Sequence, residues 1–181
     1  MERCSIEEFI KQKHGAKKRI AENLGFSIKK VLLGVVLDKE LSGNEVSALI
    51  ETLEGAYEIG VQAVILTDMQ ISGLPEGVKL LDYSRVNRKE LLEASDMTLC
   101  FAFSDVEEMF LHGTIPISVV RKELADYNPN RETGNSFIYR KSHKWSMFAA
   151  LVRALETFKF PYDWKNLVRQ GLESVFGEEG R

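Results

Sequence analysis

The chain has 181 residues, a net charge of −3 and 44% hydrophobic content, enough for one core, so one domain with at most a small appendage is expected. The mildly acidic balance gives no electrostatic footprint for nucleic acid, and no window is apolar for ~18 residues, so no membrane span is expected. The opening Met-Glu-Arg-Cys-Ser is not a basic-then-apolar leader, which points to the cytoplasm.

Residues 5–24 read as one or two helices, with Ile6, Phe9 and Ile10 on one apolar face, a break at Gly15 and a stop at Gly25. The basic run from Lys17 to Arg19 reads as a solvated face. Val31 to Leu37 is a continuous apolar run, as expected of a strand buried on both faces of a parallel sheet. Ser42 and Glu45 have capping-box spacing, and Val46, Leu49, Ile50, Leu53 and Tyr57 then share a helical face that ends at Gly60. Gln62 to Thr67 is the next strand, which makes residues 31–67 a strand–helix–strand unit.

A turn cluster at Gly73, Pro75 and Gly77 leads to a strand at Val78 to Asp82. Asn87 is placed to cap a short helix carrying Leu91 and Leu92, and Met97 to Phe101 is a fourth strand. Ser104 and Glu107 have capping-box spacing for a helix that Gly113 stops. Ile115 to Val120 is the fifth strand, residues 126–134 a polar loop, and Asn135 to Tyr139 the sixth strand. Phe148, Leu151, Val152, Leu155 and Phe158 form a helical stripe. Pro161 opens a last helix, with Trp164, Leu167, Val168, Leu172, Val175 and Phe176 inward, and residues 178–181 are expected to fray. The alternation predicts a doubly wound Rossmann-like α/β sheet of about six parallel strands with helices on both faces, over residues 30–181, preceded by a helical appendage over residues 1–29.

Cys100 sits in an apolar run as a small hydrophobe, Cys4 lies near the terminus, and His14, His112 and His143 lack metal-ligand spacing. No metal site and no cofactor are expected. Trp145 and Trp164 are expected in the core or at a packing surface.

The stretch Glu107-Glu108-Met109-Phe110-Leu111-His112-Gly113-Thr114-Ile115-Pro116-Ile117 resembles the "Glu-Ala-Met-aromatic-Gly-Thr-Val-Pro-Ile" signature of glycogen and starch synthases, glycosyltransferases of the GT-B fold. Further pieces are similar in the same order. They include Ala16-to-Gly25, Gly60-Val-Gln-Ala-Val-Ile, Leu92-Glu-Ala-Ser-Asp96, Leu124-Ala-Asp126, Gly134-Asn-Ser-Phe137 and Ala150-to-Leu155. The resemblance implies the C-terminal, nucleotide-sugar-binding half of such an enzyme, with Glu108 on the donor ribose and ADP-glucose or UDP-glucose as the ligand.

The departures fall at the chemistry. Where the family clamps the donor phosphates with an Arg and a Lys, this chain has Asp38 and Gly43; Lys39 is the candidate substitute. Eight residues before Glu108, in place of the family's other glutamate, stands Cys100, and the loop that would hold that glutamate is shortened. Lys122 and Glu123 replace the paired glycines of the phosphate cradle. Tyr127, Asn128 and Arg131 lie on the loop after the fifth strand, at the edge where open α/β sheets bind ligands. The expectation is a module with no catalytic residues of its own, binding a nucleotide sugar weakly through Glu108, Lys39, Tyr127, Asn128 and Arg131. The alternatives are the donor-binding subunit of a split glycosyltransferase, a hexosyltransferase with an acceptor-domain partner chain, and an unrelated Rossmann-like binding protein.

Overall fold

The computed structural model describes residues 6–177. Cys4 and the frayed end expected at residues 178–181 lie outside the described residues. Six parallel strands are flanked by helices on both faces: β1 (Leu32–Val36), β2 (Gln62–Leu66), β3 (Val78–Leu81), β4 (Met97–Leu99), β5 (Ile115–Val119) and β6 (Phe137–Tyr139). The order β3-β2-β1-β4-β5-β6 puts the reversal of winding between β1 and β4. The helices are α1 (Ile6–Leu24), α2 (Gly43–Glu58), α3 (Arg85–Ala94), α4 (Val106–Leu111), α5 (Lys144–Phe158) and α6 (Pro161–Phe176). Among the described residues no helix is long and apolar enough to cross a membrane.

Burial on both faces explains the unbroken apolar runs of the central strands. Leu33 and Val35 of β1 face one core with α2, α5 and α6, while Leu32 and Val36 face a second with α1, α3 and α4. Gly34 sits where the chain approaches closely, since a Cβ there would lie 2.5 Å from Ser95 Oγ.

Several boundaries differ from the sequence expectations. α1 runs unbroken through Gly15 and packs along α3. Its basic face is not simply solvated: Lys17 is buried, with Nζ 2.6 Å from Asp96. The cap of α3 is Ser84, whose Oγ accepts from Asn87 N, because the residue that must leave helical geometry is the one before Arg85. The cap of α4 is likewise Asp105, accepting from Glu108 N, while Ser104 Oγ accepts from Phe101 N in the preceding turn. Glu107 is therefore no capping-box residue. The Ser42–Glu45 capping box is present as expected. Trp145 is 67% and Phe176 57% exposed, against the expected burial, because α5 and α6 turn those positions past the edge of the packed stripe. Trp164 is partly buried against Phe137 and Phe158.

Gly113 combines φ +61° with a neighbour that leaves no room, a Cβ there falling 2.2 Å from the Phe9 ring. Gly25 has a similar φ of +71° and open space. Gly25→Ala is expected to cost roughly 1–2 kcal/mol from left-handed strain alone. Gly113→Ala adds the displacement of Phe9, for a total of about 2–5 kcal/mol. Urea unfolding of the two variants measures the difference; equal losses would show that α1 yields freely at Phe9.

Candidate functional site

The switch between β1 and β4 opens a crevice at the carboxyl ends of the strands, the usual ligand position in open α/β sheets. Asp38 and Lys39 follow β1 there, the turn at residues 100–105 follows β4, and α4 begins with Glu108 at its third position. The β4–α4 connection is short, as its spacing predicts.

Glu108 faces this crevice but is not free. Its Oε2 accepts from Arg88 Nε at 2.7 Å and lies 2.6 Å from Arg88 Nη2. Arg88 Nη1 donates to Tyr83 Oη at 3.0 Å and reaches Asp38 Oδ2 at 3.5 Å. One guanidinium thus bridges the two carboxylates of the crevice. Burial opposes the Arg88 charge, but the bonds and field of Glu108 outweigh that opposition and raise its pKa further above the ordinary value. The Arg88 side chain is 12% exposed, against 29% for Glu108 and 35% for Asp38. A two-pronged charge-assisted contact of this kind holds its geometry firmly.

A second guanidinium occupies the turn after β4. Arg121 Nη1 donates to Ser104 O at 2.6 Å, and its Nη2 donates to Phe101 O at 2.7 Å and Ala102 O at 2.6 Å. Glu123 Oε1 lies 3.7 Å from Arg121 Nη1, and Lys122 is exposed. Cys100 lies beneath this turn, its thiol pushed up to about 12 by burial, which keeps it protonated and unreactive.

The other residues singled out in the sequence are dispersed. Lys39 is exposed on the β1–α2 loop. Tyr127 is only 5% exposed, and its hydroxyl donates to Asp163 Oδ1 of α6 at 2.9 Å. Its pKa is raised, first by burial and then by Asp163. Asn128 Oδ1 accepts from the backbone of Asn130 and Arg131, folding a local turn, and Arg131 is exposed. The loop is pinned to α6 rather than to the crevice: Glu132 O accepts from Asn166 Nδ2 and Gln170 Nε2, each at 2.8 Å. Of the five residues, Glu108 and Lys39 share the crevice loops. Arg88 was missed, because nothing in the local sequence of α3 marks a cation whose partners lie 20 and 50 residues away. His112 caps the C-terminus of α4 through its backbone N–H, and burial lowers the pKa of its imidazole. Among the described residues no group of His, Cys, Asp and Glu could hold a metal ion.

Comparison with known proteins sets this geometry in context. No known protein-family profile matches the chain. It is 39% identical over 71 residues to the glycogen synthase of Syntrophotalea carbinolica, a match that takes in 36% of this chain and 14% of that protein. Among solved structures, a glycosyltransferase from Rickettsia africae superposes with a TM-score of 0.69 at 8% identity, over 90% of this chain and 47% of the other. The C-terminal domain of a glycosyl transferase group 1 family protein from Francisella tularensis superposes with a TM-score of 0.58 at 14% identity, over 82% of this chain and 85% of that domain. The chain thus spans less than half of the Rickettsia protein and a small part of the glycogen synthase, and nearly all of the isolated domain. It has the fold of a GT-B glycosyltransferase C-terminal domain.

Proposed function

We propose that this chain is a glycogen-synthase-like, nucleotide-sugar-binding domain that does not transfer sugar by itself and serves as a binding or regulatory module. The observation that carries this reading is the Arg88–Glu108 contact. The resemblance to glycogen synthases gives Glu108 the task of holding the donor ribose through two hydroxyls. Here that carboxylate already accepts from two nitrogens of Arg88, so a ribose must compete with a charged donor.

The phosphates fare no better. Asp38 presents a carboxylate at the position of a phosphate clamp, and Glu123 presents another where the family has glycine. Arg121 carries the nearby positive charge, but its donors are spent on three carbonyls. Stabilising a departing diphosphate requires cations or backbone N–H groups aimed at it before the reaction. Lys39, exposed on the β1–α2 loop and without an ion-pair partner among the described residues, would meet a phosphate as a single point charge. A nucleotide sugar with a uridine or adenosine base is the ligand class, held weakly, and a cytoplasmic setting goes with such a ligand. A partner chain carrying an acceptor domain is the alternative reading, in which this domain supplies only the donor side.

Titration calorimetry with UDP-glucose and ADP-glucose is expected to give Kd values on the order of 1 mM. Arg88→Met frees Glu108 and is expected to strengthen donor binding several-fold, while unfolding free energy falls by about 1–3 kcal/mol for the lost charged bonds. Weaker binding in that variant would mean that Arg88 itself holds the phosphates.

In an assay with radiolabelled donor and a glucan primer, beside an active synthase, the purified chain is expected to extend nothing. Losing one transition-state donor costs ~3 kcal/mol, or roughly 100- to 1,000-fold, and here two clamp positions are changed. Donor-dependent extension that vanishes in Glu108→Ala would overturn the non-catalytic reading in favour of the split enzyme.

A further inference from the structure

A largely apolar concave surface lies at the opposite edge of the sheet from the crevice. A groove of about 520 Å³ lies between α1, the segment before β1, and the α5–α6 corner. Its walls are apolar, with Ile28, Phe158 and Trp164 prominent. The two rings are fixed relative to each other, edge to face, with centroids 4.9 Å apart. Lys17 steadies the floor, its ammonium 5.9 Å from the Phe158 ring centroid and 2.6 Å from Asp96 Oδ2. Asp96 Oδ2 also accepts from Leu32 N at 2.8 Å, which ties this wall to the start of β1.

The charge of the lining is one-sided. Lys13, Lys17, Lys29 and Lys165 line the groove, with Asp96 the one carboxylate of its lining among the described residues. On a chain of net charge −3 this is a local reversal. Lys13 is committed to carbonyl oxygens and Lys17 to Asp96. Lys29 is exposed and has no carboxylate within ion-pair reach among the described residues. Lys165 reaches only Glu7, whose side chain is 79% exposed. An ion pair so open to water is worth little, and an incoming anion can displace it.

We propose that this groove is a binding site for a small aromatic anion, the ring entering between Ile28 and Trp164 and the anionic group meeting Lys29 and Lys165. The volume is in the range of small-molecule sites, and the mixture of apolar wall with a few placed charges is what such sites use. Trp and Phe faces give stacking area at small entropic cost, and the two lysines give the sign preference. This site is separate from the strand-end crevice and owes nothing to the nucleotide-sugar reading.

The test uses 1-naphthyl phosphate as the probe, with 1-naphthol and inorganic phosphate as its two halves, followed by the indole N–H signals of the intact chain in nitrogen-15 NMR. Two tryptophans make the experiment internally controlled: Trp164 lines the groove, whereas Trp145 stands 67% exposed elsewhere. Saturable movement of the Trp164 signal with Trp145 still, stronger for naphthyl phosphate than for either half, is the expected result. The double change Lys29→Glu with Lys165→Glu should weaken that binding by about tenfold or more, while Lys79→Glu with Lys141→Glu, an equal charge reversal at exposed positions outside the groove, leaves it within about twofold. Movement of Trp145 alone, equal binding by inorganic phosphate or naphthol, no saturable binding, or equal effects of the two charge reversals would each overturn the proposal.

Discussion

The interaction on which the arrangement depends is the seating of Lys13. Its ammonium lies within hydrogen-bond distance of five oxygens, Leu92 O at 3.3 Å, Glu93 O at 3.1 Å, Ser95 O at 2.8 Å, His112 O at 3.0 Å and Thr114 Oγ1 at 3.0 Å, among which its three N–H bonds are shared. These oxygens belong to the C-terminal ends of α3 and α4 and to the turns that follow. In a parallel α/β sheet the helix C-termini collect at one edge, and their unpaired carbonyls gather negative potential there. Burial pushes the Lys13 pKa down to about 7, against the opposing charges of Asp96 and Glu93. Lys17, one turn further along α1, meets Asp96 at the same edge. α1 is thereby the clamp across the ends of two helices, and Gly113 must be glycine partly because Phe9 of the same helix lies against it.

The same polarity shapes the other edge. Helix N-termini gather at the carboxyl ends of the strands, and the positive ends of their dipoles favour anions. In this chain the anions are supplied from within: Glu45 completes a capping box on α2, Asp105 caps α4, and Glu108 lies in the first turn of α4. Asp38 adds a further carboxylate at the mouth. Arg88 is the cation that makes this tolerable, and it does so from α3, on the face of the sheet shared with α4. The charges of this edge are thus largely satisfied by the protein itself.

How much of this the sequence could disclose follows from the range of the forces involved. The strands and the Ser42 cap are local: unbroken apolar runs and a three-residue spacing suffice, and both were readable. The caps at Ser84 and Asp105 were each misplaced because two candidate polar residues lie in one short turn, and only the backbone path decides between them. Lys17 looked like part of a solvated stripe, since its partner Asp96 is 79 residues away. Tyr127 read as a loop aromatic near a ligand, yet it packs on Phe137 and bonds to Asp163 of a helix that comes later in the chain. Glu108 was legible as a candidate from its motif, whereas its occupation by Arg88 was not, because a motif records the residues present and not the partner that reaches across to them.

That partner also bears on how the strand ends are stabilised. Groups kept ready for a ligand are commonly left unpaired, and this costs stability. A carboxylate waiting for a ribose, beside another carboxylate at the same crevice, repels its neighbour and gains nothing until ligand arrives. Placing a guanidinium between Glu108 and Asp38 removes the repulsion and adds charge-assisted bonds at 2.6 and 2.7 Å. Arg121 does the same for three carbonyls of the β4–α4 turn, which fastens that turn without a bound phosphate. The two cores above and below the sheet are untouched by these exchanges, because their residues lie along the strands and the exchanged residues lie beyond the strand ends. The residues of the two cores and the charged residues at the strand ends are therefore nearly disjoint sets, so the pairing at this edge places no demand on the packing of the sheet beneath it.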